Sequence, residues 1–523
     1  MLAPMTALDA TICYQAIRAR DARFDGRLFV GVSSTGIYCR PVCPARTPKA
    51  EHCRFFVSAA AAQAAGFRPC LRCRPETAPE HGAWRGTEST VHRGLELIAA
   101  GALDGEQASV SALAERLGVG ERHLRRLFER HLGATPIAVA QTRRIELAKQ
   151  LLHETRLPMC EVADAAGFGS VRRFNETFRA LFDRPPSALR RKATEVLPAG
   201  SAGAAGVALR VRYRPPYDWP ALLGFFRARA IAGLEWVDDA RYLRCFEEGG
   251  QVGSVEVSHL PAAQSLLVTV RVEQVALLPG ILNRARRLFD VASDVTCIGE
   301  QLALDPLLAP LVAARPGLRV AGAWSGFELG VRAVLGQQVS VVAARQLGER
   351  LVGLFGTPVL LGPALTRTFP SPERLAAADL SRLGVPRARA QALTALAQAA
   401  LDDPALFEPA SSIEETVARL RHVRGIGDWT AHYIALRAAR DPDAFPAGDR
   451  GIQRGMQHQD GADWSAQALT LRAERWRPWR AYAAQHLWAA DAAHAARGVA
   501  VAPGPRRARA PRAVKEANDA ELE

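Results

Sequence analysis

Lysine is scarce in this sequence: Lys49, Lys149, Lys192 and Lys515 are the only ones in 523 residues. The stretch from Ala193 to Val514 has none, so no side chain there readily supplies an amine for Schiff-base chemistry. Long apolar runs are missing too. No uninterrupted run is long enough to cross a bilayer. Asp9 breaks a short, weakly apolar start, so neither a membrane span nor a signal peptide is expected. Cysteine stops at Cys297, which excludes an iron–sulfur loop in the C-terminal part. A reducing, cytoplasmic setting is expected, and clustered cysteines are then read as metal ligands before disulfides.

What is present is length and positive charge. At 523 residues the chain is too long for one core, and roughly three to five domains are expected. Net charge is +14, and arginine carries nearly all of the basic side. The planar guanidinium fork suits phosphates and guanine edges, so a nucleic-acid partner is favoured and a membrane is not. An Arg- and Ala-rich chain also reflects genomic base composition, so the motifs have to decide.

The first motif lies in residues 8–79. Two close cysteine pairs, Cys39/Cys43 and Cys70/Cys73, fit a tetrahedral site of four thiolates for Zn2+. The metal would supply much of the folding energy of so small a module. Cys13 and Cys53 fall outside the pattern and read as ordinary small buried residues. On spacing alone this is a structural zinc knuckle. Its surroundings say more: Thr35-Gly36-Ile37-Tyr38-Cys39-Arg40-Pro41 and Gly66-Phe67-Arg68-Pro69-Cys70 resemble the N-terminal domain of the Ada methylation-response proteins. That resemblance implies that Cys39 takes a methyl group from a methylated DNA phosphate. Zinc keeps a thiol deprotonated, and the thiolate is the nucleophile. Methylation removes one negative charge from the site, which favours DNA binding.

Residues 87–192 carry helical periodicity throughout. Val110–Val119 and Glu121–Phe128 read as one helix-turn-helix, and Glu161–Phe168 with Val171–Phe178 as a second. A long helix near Ile137–His153 joins them, and Arg184-Pro185-Pro186-Ser187 ends the region. The whole resembles the AraC-type DNA-binding domain, in which each second helix enters a major groove. The candidate readers are His123, Arg125 and Arg126, then Arg172, Arg173 and Asn175, although each of these residues also suits a solvated face or a phosphate.

Residues 193–206 read as an Ala/Gly linker, and 207–295 as a small α+β domain without obvious chemistry, a scaffold for the DNA groove. Residues 296–496 follow as an all-α domain, and 497–523 as a disordered tail, basic and then acidic. The decisive stretch is Arg421–Ala431, with Gly425-Ile426-Gly427 between apolar positions at helical spacing, Val417 and Leu420 before, Tyr433, Ile434 and Leu436 after. It reads as a helix-hairpin-helix whose glycines give the turn its backbone freedom and whose second helix offers N–H groups to a phosphate. Phe445-Pro446-Ala447-Gly448-Asp449 follows.

A hairpin followed by such a turn resembles the helix-hairpin-helix DNA glycosylases of the AlkA type. Trp324–Glu328 and Val334–Ser340 are also close to that family. The resemblance implies that Asp449 assists cleavage of the bond from sugar to base. Trp429, Tyr433 and Trp488 would form an aromatic base pocket, although aromatics at helical spacing equally suit a core. Gly425 and Gly427 would hold the DNA backbone, with a monovalent cation possible at the hairpin. Gln337-Gln338 would supply the wedge that fills the gap of the flipped base. Two positions depart from the pattern. Gln338 stands where a family member has an apolar residue, and Asp428 stands where a basic one flanks the hairpin. Trp429 occupies the place of the lysine that makes some relatives strand-nicking lyases, so a monofunctional enzyme is expected.

The multidomain, mainly α chain is thus expected to be a monomeric sensor, activator and glycosylase. It would act on double-stranded DNA in the cytoplasm, at the nucleoid. RNA polymerase is a partner that only the resemblance implies. No Pro-Cys-His-Arg motif is present, so reversal of methylguanine is not expected. The rival reading is a transcription regulator whose glycosylase half binds damaged DNA without cutting. A third makes the zinc and helix-turn-helix modules tethers for the enzyme.

Overall fold

The computed structural model describes residues 10–21, 24–75, 78, 88–104, 108–190, 206–410 and 412–500. Most of the expected linker, and the expected tail beyond Ala500, lie outside the described residues. The helix Arg480–Ala500 continues past the expected end of the last domain. Among the described residues no helix is long and apolar enough to cross a membrane.

The N-terminal module is a four-stranded sheet of β1 (Phe29–Val32), β2 (Ile37–Cys39), β3 (Cys53–Phe56) and β4 (Arg68–Pro69), in the order β3-β1-β2-β4. β2 and β4 run parallel with Tyr38 opposite Pro69, and the Cys70 N–H donates to the Tyr38 carbonyl at 3.0 Å. That pairing carries Cys39 and Cys70 to the same end of the sheet.

The next module has the five expected helices: Val110–Arg116, Glu121–Leu132, Pro136–Glu154, Met159–Ala165 and Val171–Phe182. Ser109, Thr135 and Ser170 cap three of them through their hydroxyl oxygens, each satisfying an orphan N–H of a first turn. Leu124, Leu127 and Phe128 on one second helix, and Phe174 and Phe178 on the other, face inward. The charged residues between them are left to solvent.

The α+β domain is an antiparallel sheet of β5 (Val207–Arg212), β6 (Glu235–Val237), β7 (Arg241–Glu248), β8 (Gln251–Leu260) and β9 (Ser265–Arg271), in the order β5-β9-β8-β7-β6. The short β6 is the one strand that the sequence pattern does not show. β5 is an edge strand, and an open edge invites unwanted pairing. Here the long helix Pro136–Glu154 of the preceding module covers it. Gln150 donates to the Arg210 carbonyl at 2.8 Å, and Glu154 accepts from the Arg210 N–H at 2.9 Å. Glu154 also pairs with Arg74 of the cysteine module at 3.1 Å, so one buried carboxylate ties three modules together. Apolar packing follows the same line: Leu151, Phe174 and Phe178 share one core with Val211, Phe226 and Phe289.

The C-terminal half is a helical body with its own core, from Val295 to Leu487, into which Ile231, Leu234 and Cys245 of the α+β domain also pack. A buried ion network joins the two. Arg244 pairs with Glu328 at 2.8 Å, and Arg332 bridges Glu328 and Glu235. Burial raises the Glu328 pKa, but Arg244 and Arg332 outweigh it, and the net shift is downward. Glu328→Gln leaves the buried Arg244 and the partly buried Arg332 guanidiniums short of a counter-charge, so a loss of about 3–5 kcal/mol in denaturant unfolding is expected. Because the folded-state pKa is depressed, this stabilisation is fully present at neutral pH and is lost as pH falls through the folded value, below 4.5. An unfolding free energy insensitive to the substitution would contradict the role given to the network.

Candidate active site

The hairpin is built from helix Ile413–Arg421, a turn, and helix Asp428–Arg437. Val423 and Ile426 of the turn are buried and pin it to the body. The two glycines differ in their reasons. Gly425 has φ +87°, and a Cβ there would lie 2.4 Å from that of Ala392. Gly427 has an ordinary φ of −84°, and nothing lies near its missing Cβ. The expectation that both glycines serve the turn's conformation therefore holds only for Gly425. Gly427 instead leaves open space at a helix N-terminus, where a phosphate can approach.

Asp449 is the N-cap of helix Arg450–Asp460. Its Oδ1 accepts from the N–H groups of Gly451 (2.8 Å) and Ile452 (3.1 Å) and from Trp488 Nε1 (2.8 Å). Its Oδ2 accepts from Trp429 Nε1 at 2.7 Å. The cap bonds hold the carboxylate at the wall of a cavity of 570 Å³, so a capping role leaves it free to face that cavity. Trp429, Tyr433 and Trp488 line the same cavity. They do not form an open box: Trp429 and Tyr433 stack on each other at 5.3 Å and 15°, with Trp488 edge-on to Tyr433. A base can use their outer faces but cannot enter between the stacked pair.

The α+β domain is more than a scaffold. Phe225 and Arg229, from its helix Trp219–Arg229, close the cavity opposite the hairpin side. Arg437 lies beneath the rings, one helical turn beyond Tyr433 and two beyond Trp429. Its position was readable from the i, i+4, i+8 spacing with those two aromatics. Phe225 carries no such signal, because its contact crosses a domain boundary.

The four cysteines of the N-terminal module converge, with Sγ atoms all within 4.8 Å of one another. Tetrahedral zinc–sulfur bonds of ~2.3 Å put sulfurs roughly 3.8 Å apart, so the set fits Zn2+. Backbone N–H groups already point at two of the sulfurs, as at a thiolate site. Arg40 donates to Cys73 (3.4 Å), and Arg72 and Cys73 donate to Cys70 (3.3 and 3.5 Å). Crowding splits the acidities of the four thiols. Cys39 is pushed up, chiefly by its hydrogen bond with Cys43, and Cys70 is drawn down, chiefly by that with Cys39. All nine cysteines are free of disulfides; Cys13 is buried and Cys53 half-buried.

Four family models match in chain order: the metal binding domain of Ada over residues 12–76, a helix-turn-helix domain over 113–192, the AlkA N-terminal domain over 208–325, and the HhH-GPD superfamily of base excision DNA repair proteins over 331–481. A Mycobacterium tuberculosis protein named as a probable bifunctional transcriptional activator/DNA repair enzyme AlkA is 41% identical over 477 residues, 91% of this chain and 95% of its own. The chain belongs to that family of bifunctional activator and repair enzymes. Its second half is similar to the DNA-3-methyladenine glycosylase 2 of Escherichia coli, 37% identical over 53% of this chain and 95% of that one. Its first part is similar to the Escherichia coli activator and repair enzyme Ada, 37% identical over 27% of this chain and 37% of that one.

Within this Ada–AlkA fusion the remaining expected helix-turn-helix residues lie at the surface, His123, Arg126, Arg172 and Arg173 exposed and Arg125 and Asn175 half-buried. Arg125 pairs with Glu121, Arg126 with His123, and Arg172 with Glu176. Asn175 bonds back to the Val171 carbonyl, and Arg173 is exposed on the same helix. The two i, i+4 ion pairs, Arg125–Glu121 and Arg172–Glu176, are worth a few tenths of a kcal/mol each and exchange readily for phosphate or base. The two glutamines separate. Gln337 turns inward, its Nε2 donating to the Gly425 carbonyl and to Thr430 Oγ1, both at 3.0 Å, which clamps its loop to the hairpin. Gln338 is exposed with φ +56°, a left-handed backbone rare for a side chain of its size. Asp428 lies 3.8 Å from Arg421.

Proposed function

We propose that the second half excises alkylated purines of the 3-methyladenine type as a monofunctional glycosylase. We propose further that the first half accepts methyl groups from DNA phosphotriesters and activates transcription. The observation that carries the first part is the Asp449 carboxylate, fixed by four N–H donors in the wall of an aromatic cavity. As the C1′–N bond breaks, positive charge builds on the sugar. A carboxylate held there stabilises the charge and takes the proton of the attacking water. A cationic alkylated purine leaves as a neutral base and needs no acid. Trp429, Tyr433 and Trp488 present it with ring faces, Gln338 enters the gap in the stack, and Gly425 and Gly427 seat the backbone.

For the first half, bound zinc would hold the four sulfurs as thiolates. Cys70 and Cys73 are buried and receive backbone N–H groups, whereas Cys39 is half-buried and receives none among the described residues. The least stabilised thiolate is the best nucleophile. Its sulfur bonds to the methyl carbon, the carbon–oxygen bond breaks, and the phosphate leaves as a diester anion. The partners in this reading are double-stranded DNA, read by His123, Arg125, Arg126, Arg172, Arg173 and Asn175, and RNA polymerase at the promoter. The protein would act as a monomer at the nucleoid, with a monovalent cation at the hairpin.

Incubation with methylated duplex DNA tests the enzyme. Free alkylated purines should appear, the strand should stay intact until alkali is added, and borohydride should trap no covalent complex. Tight binding without any free base would favour the rival, a regulator that only holds damaged DNA. A trapped complex would overturn the monofunctional assignment.

A further inference from the structure

Two DNA-gripping motifs from opposite halves of the chain meet on one half-buried residue, Glu408. Its carboxylate accepts from Arg116 Nη2 at 3.3 Å, and its backbone carbonyl accepts from Arg419 Nη2. Arg116 lies in the last turn of Val110–Arg116, the first helix of the first helix-turn-helix unit. Arg419 lies in the last turn of Ile413–Arg421, the first helix of the hairpin. Each arginine thus stands where its helix gives way to a turn, one leading to the second helix Glu121–Leu132 and the other to Gly427. A shared residue keeps the two helix ends within roughly two helix diameters, ~20–24 Å. One turn of duplex is longer, ~34 Å.

An exposed ion pair such as Arg116–Glu408 contributes little energy. The arrangement is held from elsewhere along the seam. The Asp25 carbonyl accepts from Arg214 at 2.7 Å, and Arg214 and Arg27 share the Asp294 carboxylate at 3.2 and 2.7 Å. Glu96 lies 3.8 Å from Arg287, and helix Met159–Ala165 packs on the turn Val275–Leu277. Arg214 and Glu154 are buried and reach their partners across the seam only while the halves stay docked, so the seam is a fixed joint. Docking leaves the DNA-facing groups free. Arg122 and Arg126 on one side, and Arg421 and Arg424 beside the hairpin turn on the other, remain exposed. Among the described residues, the Asp449 cavity is lined only from Phe225 onward.

Building on the glycosylase reading, we propose that the first helix-turn-helix unit and the hairpin form one composite surface for a single DNA duplex. Arg122 and Arg126 continue along the phosphates, on one side of the lesion, the hold that Arg421, Arg424 and Gly427 begin. Once the hairpin has bound, the second contact is intramolecular, so it tightens lesion capture without touching the chemistry at Asp449. Whatever strengthens the first half's hold on DNA then strengthens capture by the second. A flexible tether would let the first half land on either side of the lesion, whereas a fixed joint permits one side only.

The test titrates the zinc-loaded chain with duplexes that carry one 7-methylguanine. The duplexes are short on both flanks, extended on one flank, or extended on the other. Binding and single-turnover base release are read on the same preparation. Extension of one flank should lower both Kd and the protein concentration for half-maximal release about tenfold or more, and extension of the other should change either by less than about threefold. The favoured duplex should also show the steeper salt dependence, because more phosphates are neutralised. The double variant Arg122→Ala, Arg126→Ala should return the favoured duplex to the Kd of the short one, and Arg126→Ala alone takes its place if the double variant does not fold. Equal tightening from both flanks would replace the fixed joint by a tether, and no tightening from either would mean that the halves hold separate DNA. Each of these results overturns the proposal, as does a double variant that keeps the whole gain. One-sided tightening of binding without any free base leaves this inference standing and defeats the glycosylase reading beneath it.

Discussion

Asp449→Asn is expected to slow base release about a thousandfold while DNA binding stays within a few fold. Asparagine keeps most of the local structure. Its amide oxygen still accepts from Gly451 and Ile452, the two N–H groups that the aspartate caps. What changes is the second atom of the head group. The amide nitrogen would face Trp429 Nε1, donor against donor, where the carboxylate now accepts at 2.7 Å. The negative charge opposite the developing sugar cation is also gone. The DNA contacts proposed at Gly427 do not involve Asp449, so affinity for methylated duplex should survive. Single-turnover release from methylated DNA, beside a binding titration of the same preparation, gives both quantities. Undiminished release by the mutant would remove Asp449 from the mechanism.

Loss of the zinc site is the other large effect. Cys70→Ser is expected to abolish both zinc content and the promoter response to methylated DNA. Structural zinc sites carry about 10–16 kcal/mol of apparent binding free energy, far beyond what a small four-stranded sheet supplies alone. Cys70 is buried, two backbone N–H groups point at its sulfur, and its own N–H ties β4 to β2. Cys39→Ser is the sharper companion, because its half-buried side chain can change with less damage to the module. One zinc per chain in wild type, none in Cys70→Ser, and an activator silenced in both is the expected pattern from metal analysis and a promoter reporter. Activation by methylated DNA that survives Cys39→Ser would end the switch model. Base release should persist in Cys39→Ser, since its sulfur contributes nothing to the Asp449 cavity.

The patterns legible in the sequence are those set over short distances. The two cysteine pairs show in spacing because four ligands must reach one ion. The paired helix-turn-helix units show in periodicity because each buries one face, with Leu124 and Phe128, or Phe174 and Phe178, at helical intervals. Asp449 shows because it follows the hairpin that precedes it by a fixed connection. Spacing also misled in small ways. Gly425 and Gly427 look equivalent in the chain, but only one has positive φ. The aromatic residues look like walls of a box, but two of them stack together.

The sequence by itself therefore determined the modules, the four clustered thiols, the hairpin and the turn that carries Asp449, since each is a local pattern of residue type and interval. Tertiary structure alone decided what those patterns face. Parallel pairing of β2 with β4 brings Cys39 to Cys70. Glu154 joins three modules at a sheet edge. Phe225 and Arg437 reach one cavity from segments more than two hundred residues apart in the chain. Burial and charge pairing are properties of packed neighbours, and neighbours from distant segments leave no interval in the sequence to be read.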